Sequence, residues 1–141
     1  MKKLMYILSF IGLMVGGVAL ATEKEADDCL RQKIWNGYSE GWAVRTATTT
    51  ELAQDEHRVY LLTLYAGNEY KVQVCADGSK KNDIDLVLHD VDGKEIKRDQ
   101  SNNLEPELVF KPVETQTFYV AVYAADIEKD KSWVALAVTY R

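Results

Sequence analysis

Asp83-Ile84-Asp85-Leu86-Val87-Leu88-His89-Asp90-Val91-Asp92-Gly93 is the stretch that decides the fold. Side chains alternate along a strand, so Ile84, Leu86 and Leu88 share one face and Asp83, Asp85, Val87 and His89 the other. One apolar face and one mostly polar face mark a strand of antiparallel sheet with a core on one side. Asp92-Gly93 supplies residues that tolerate positive φ in a tight hairpin. The return strand is predicted over Lys94 to Lys97, with Ile96 turned inward.

The pattern repeats on both sides of this stretch. Tyr70-Lys71-Val72-Gln73-Val74 alternates with Tyr70, Val72 and Val74 inward. Thr117 to Tyr123 alternates with Phe118, Val120 and Val122 on one face, and Ser132 to Tyr140 with Val134, Leu136 and Val138. Arg58 to Tyr65 is apolar on both faces, which predicts a central strand covered on both sides. Leu108-Val109-Phe110 is a short strand, and neither Pro106 nor Pro112 interrupts a predicted one. The Thr-rich segment from Tyr38 to Leu52 favours strand. Many short strands broken by turn signals predict an all-β antiparallel sandwich. One helix is predicted ahead of them, from about Glu23 to Asn36. Thr22 and Glu25 have capping-box spacing, Ala26, Cys29, Leu30 and Ile34 recur at helical spacing, and Gly37 is the predicted stop.

The chain has 141 residues. Lys2 and Lys3, the apolar run Leu4 to Leu20 and the A-x-A site Ala19-Leu20-Ala21 read as a secretory signal peptide over residues 1–21. The run is short for a membrane span, so no stable membrane insertion is expected after cleavage. Residues 22–141 then form one domain, expected in the periplasm or secreted. Removing Lys2 and Lys3 takes the formal charge from −5 to −7. An acidic surface repels phosphate backbones, which argues against a nucleic-acid partner. The two cysteines of the mature chain, Cys29 and Cys75, allow a single bridge. The other reading is two separate buried thiols.

Tyr65-Ala66-Gly67-Asn68-Glu69-Tyr70, Asp83 to Asp90, Gly93 and Thr117-Phe118-Tyr119-Val120-Ala121-Val122-Tyr123 together resemble the bacterial pre-peptidase C-terminal (PPC) domain. The resemblance covers about residues 58–140. It implies a jelly-roll-like β-sandwich, and it brings in the collagen-binding domains of clostridial collagenases as relatives. The chain departs from the family at Gln116-Thr117, where Gly is common, and these residues are not expected to include a protease domain.

The chemistry-bearing residues point to binding. If Phe118, Val120 and Val122 face inward, Tyr119 and Tyr123 face outward, and the same parity turns Trp133 outward. A short loop joins the two strands, so they are expected to be neighbours whose three aromatics form one binding face for a protein or polysaccharide. The resemblance supports this, since some collagen-binding relatives use exposed aromatics. The competing reading has the N-terminal helix or the Thr-rich segment covering that face. No organic cofactor is predicted. Asp83, Asp85 and Asp90 are oxygen donors of the kind that suits Ca2+, which the resemblance makes relevant, although turn formation also explains them. His57 and His89 lack zinc-site spacing, and no serine lies in G-x-S-x-G. The reading is a non-catalytic binding module. The alternatives are a small secreted hydrolase whose site assembles only in the fold, and an inhibitor or partner of a co-secreted protease.

Overall fold

The computed structural model describes residues 22–99 and 101–141. The segment read as a signal peptide lies outside the described residues. Helix α1 (Glu23–Tyr38) is followed by eight strands: β1 (Ala43–Ala53), β2 (His57–Leu64), β3 (Tyr70–Ala76), β4 (Asp83–His89), β5 (Glu95–Arg98), β6 (Glu107–Phe110), β7 (Gln116–Asp126) and β8 (Lys131–Tyr140). They form two four-stranded antiparallel sheets, ordered β1-β8-β3-β6 and β2-β7-β4-β5. The fold is the all-β sandwich with one short helix that the alternation predicts.

The core lies between the sheets. Ile84, Leu86 and Leu88 of β4 are fully buried, as are Phe118, Val120 and Val122 of β7 and Val134, Leu136 and Val138 of β8. Tyr70, Val72 and Val74 of β3 complete the opposing layer. Each inward triplet is the one that period-2 alternation selects. Gly93, at φ 80°, makes the turn after β4, and Asp90 Oδ1 accepts the N–H groups of Asp92 and Lys94 there.

On the far side of the first sheet, α1 lays Ala26 and Leu30 on Cys75, Ala135 and Ala137, with Cys29, Ile34 and Trp133 packed around them. Cys29 and Cys75 are bonded, with their Cα atoms 6.0 Å apart. The bridge closes 46 residues of sequence separation, which the chain-entropy account values at about 4 kcal/mol. Asp77, buried at the end of β3, accepts the Ser132 hydroxyl at 2.7 Å and the Trp133 N–H at 2.9 Å, tying the β3–β4 loop to β8. We call β1-β8-β3-β6 the covered sheet and β2-β7-β4-β5 the bare sheet.

Four expectations are corrected. First, β2 is an edge strand and not a central one: Val59 is 46% and Leu61 62% exposed. An apolar pattern on both faces fits a covered strand, but here the outer half meets solvent. Second, β7 and β8 are not neighbours, because they belong to different sheets. Only the β4–β5 connection stays within a sheet, and every other one crosses the sandwich. Third, Ile96 is 40% exposed, since a register shift between Leu88 and His89 leaves it as the extra residue of β5. Fourth, α1 runs past Gly37 to Tyr38, with Gly37 buried against Trp42, and Thr22 caps the helix without a side-chain hydrogen bond.

Candidate functional site

Helix α1 covers one outer face of the sandwich, and no described element packs on the other. The register fixes what that bare face presents. Directly opposed residues share a side of the sheet, so it carries three rows across β2, β7 and β4. The first is His57, Tyr123 and Asp85; the second Val59, Ala121 and Val87; the third Leu61, Tyr119 and His89. Arg98 of β5 extends the second row and Glu95 the third.

The β2 side of the face is largely apolar, and the β4–β5 side is charged. Leu61 and Val59 project from the edge strand, beside the half-buried rings of Tyr119 and Tyr123. Arg98 donates to Glu95 at 3.2 and 3.0 Å and lies 3.7 Å from Asp85, which places its guanidinium across the row of Val87. That hydrogen bond is the main cause holding the Glu95 carboxyl below its ordinary pKa. A shallow cavity of about 300 Å3 opens between His57, Asp85, Val87, Arg98, Ala121 and Tyr123. The Tyr123 hydroxyl donates to Asp55 at 3.3 Å. Loss of solvent raises its pKa, with Asp55 and Asp85 adding to the effect.

The three predicted aromatics are divided by this geometry. Tyr119 and Tyr123 stand on the bare face, four residues apart on β7. Trp133 lies on the opposite side of the molecule, half-buried under α1. The face of Trp133 is therefore the one the helix covers, and the expected trio is a pair. Val59, Leu61 and Arg98 were not singled out from sequence. Their signal was present in the parity of β2 and β5, but only the sheet order reveals which side is uncovered.

The predicted metal ligands are also separated. Asp83 starts β4 and Asp90 follows its far end, about 20 Å away at ordinary strand rise. Asp90 is engaged in its turn, and Asp85 lies 3.7 Å from Arg98. Asp83 keeps one buried oxygen, Oδ1, without a hydrogen-bond partner. Burial first, and then Asp85, Asp126 and Asp99, raise its pKa. Among the described residues, the one group of three potential ligand atoms within 4.8 Å of one another is Cys29, Cys75 and Glu105, and its cysteines are bonded to each other.

No described serine is hydrogen-bonded to a histidine. Ser39 donates to the Asn36 carbonyl, Ser101 to Asp99 and Ser132 to Asp77, while Ser79 accepts the Lys81 N–H. His89 faces the Gly93 carbonyl at 3.3 Å.

The whole-chain comparison with solved structures bears on the fold. The pre-peptidase C-terminal domain of a Bacillus anthracis collagenase superposes with a TM-score of 0.54 over 67% of this chain and 89% of that one, at 19% identity. The fold is that of a pre-peptidase C-terminal domain. PliG of Aeromonas hydrophila, a periplasmic inhibitor of g-type lysozyme, aligns over 70% of this chain and 88% of its own at 14% identity, with a TM-score of 0.49. No protein-family model matches the sequence, and no curated protein matches it. The PPC-type sandwich here includes β1, which begins at Ala43, ahead of the stretch that carries the sequence resemblance. No described helix is long and apolar enough to cross a membrane.

Proposed function

We propose that this chain is a non-catalytic binding module that works in an oxidising compartment and holds a protein or polysaccharide partner on the bare face of its sandwich. The observation that carries the proposal is the uncovered apolar patch that Val59 and Leu61 of the edge strand form with Tyr119 and Tyr123 beside them, bordered by His57 and, on the β4–β5 side, by Asp85, His89 and Arg98. An exposed apolar patch bordered by polar groups is the mark of a recognition surface, with aromatics as anchors. The Cys29–Cys75 bridge fits an oxidising compartment.

The superposed domain belongs to a collagenase, so collagen is the first partner to try, followed by polysaccharides such as chitin and peptidoglycan. Each is immobilised and the protein passed over it. Leu61→Ala and Tyr119→Ala should each weaken binding to the partner by about 2 kcal/mol, roughly thirtyfold. Binding that is unchanged in both variants would refute this face. Weak Ca2+ binding near Asp83 and Asp85 remains a separate proposal, and Asp90 is not part of it.

A further inference from the structure

A second site lies away from the bare face, where β1 begins, β8 ends and the chain turns from β2 into β3. Three β1 residues, Val44, Arg45 and Thr46, stand against two β8 residues, Thr139 and Val138. Arg45 is the extra residue of this bulge, a device that re-aims a side chain. Its guanidinium lies 5.4 Å from the ring centre of Tyr65 and 5.9 Å from that of Tyr70. Arg45, Tyr65, Asn68, Tyr70 and Tyr140 line a cavity of about 290 Å3.

Arg45 differs from the other arginines. Arg31, Arg98 and Arg141 each hold a carboxylate, and Arg58 is exposed on the edge strand. Arg45 is half-buried, yet among the described residues no carboxylate lies within 4.0 Å of it and no protein acceptor takes its N–H groups. A cation–π contact engages the guanidinium charge without consuming its N–H groups, which stay free for a planar acceptor. The walls are fixed in advance. The Tyr70 hydroxyl accepts the Tyr65 N–H at 2.9 Å and the Asn68 side-chain amide at 3.2 Å. That leaves the Asn68 amide oxygen able to accept from a ligand hydroxyl. Tyr65 and Tyr140 remain 51% and 38% exposed.

We infer that this notch binds a carboxylate-bearing sugar residue of the uronic acid class. Arg45 would take the carboxylate through two N–H groups, the Tyr65 and Tyr140 rings would flank the pyranose, and Asn68 would accept a ring hydroxyl. The volume is at the lower end of ligand pockets, about 300 Å3, which suits one ring. An acidic peptide side chain would use Arg45 but leave both tyrosine faces and Asn68 idle. The chain's negative charge opposes a long polyanion, so the notch is expected to read single residues at weak affinity.

The test is an NMR titration of the isotope-labelled protein with trigalacturonate, a neutral trisaccharide and a glutamate-rich peptide. Trigalacturonate should shift the Arg45 Nε–H and the Asn68 side-chain amide at millimolar concentration. The neutral sugar should bind at least about tenfold more weakly, the difference expected for loss of a charge-assisted pair. With the Asn68 side-chain amide as the reporter common to all variants, Arg45→Gln should abolish its shift, Arg45→Lys and Tyr65→Leu should weaken it, and Tyr119→Ala should leave it unchanged. No shift with trigalacturonate, equal binding of the neutral sugar, or tighter binding of the peptide would overturn the inference. So would wild-type binding by Arg45→Lys together with Tyr65→Leu, the pair that decides if Arg45→Gln does not fold.

Discussion

Asp83 opens β4 with its Oδ1 out of solvent and without a partner, and its pKa is raised by burial and by Asp85, Asp126 and Asp99. A carboxyl whose pKa rises on folding binds its proton more tightly in the native state. Its contribution to stability is therefore lost as pH climbs from the ordinary aspartate range through the folded value. Asp83→Asn should melt at a higher temperature than wild type at neutral pH, and the gap should close as pH falls below about 4. An equal or lower melting temperature for the variant at neutral pH would refute the account. The same variant tests calcium: Ca2+ should raise the wild-type melting temperature more than Mg2+ does, and Asp83→Asn should lose that rise. Leu61 lies at the other extreme of burial. At 62% exposure its truncation should change stability by no more than about 0.5 kcal/mol, so a binding defect in Leu61→Ala reports on the surface.

At the scale of elements, the helix and the β2 edge make separate predictions. Helix α1 rests on small residues, Cys75, Ala135 and Ala137, that let it approach the covered sheet closely, and the Cys29–Cys75 bridge anchors it there. Replacing both cysteines with alanine should lower the unfolding free energy by about 2–4 kcal/mol in a urea titration. A loss well under 1 kcal/mol would mean that packing alone holds the helix. Strand β2 is an edge with an apolar outer side and no proline, a template for unwanted strand pairing. Leu61→Lys should slow aggregation in light scattering while leaving the melting temperature near wild type. Alternation made β4, β7 and β8 legible, because one buried face leaves a period of two. It misled at β2, where the same apolar run describes a central strand or an edge with a sticky outer side. It misled at Ile96 because a bulge inverts parity in a four-residue strand.

The largest illegible feature belongs to the whole molecule. The length of a connection limits how far the chain can reach, but it does not say which sheet receives the next strand. Here nearly every connection crosses the sandwich, so parity placed Tyr119, Tyr123 and Trp133 correctly as outward-facing while saying nothing of which outside each one meets. For the same reason Val59, Leu61 and Arg98 joined the site only once β2 and β5 were seen to flank β7 and β4. Arg45 escaped notice because a bulge leaves no mark on a Thr-rich strand. The crossing topology yields a last prediction. Trp133 packs under α1 on the covered side, and Leu61 stands on the bare side. Trp133→Ala should cost about 2 kcal/mol of stability, below the range for a fully buried tryptophan because its ring is half-buried, and partner affinity should not change. Leu61→Ala should do the reverse. Since the residues lie on opposite faces and share no partner, the double variant should show both losses as simple sums, within about 0.5 kcal/mol. Coupling beyond that, in either stability or affinity, would show that the two faces do not act independently and that helix docking governs the binding surface.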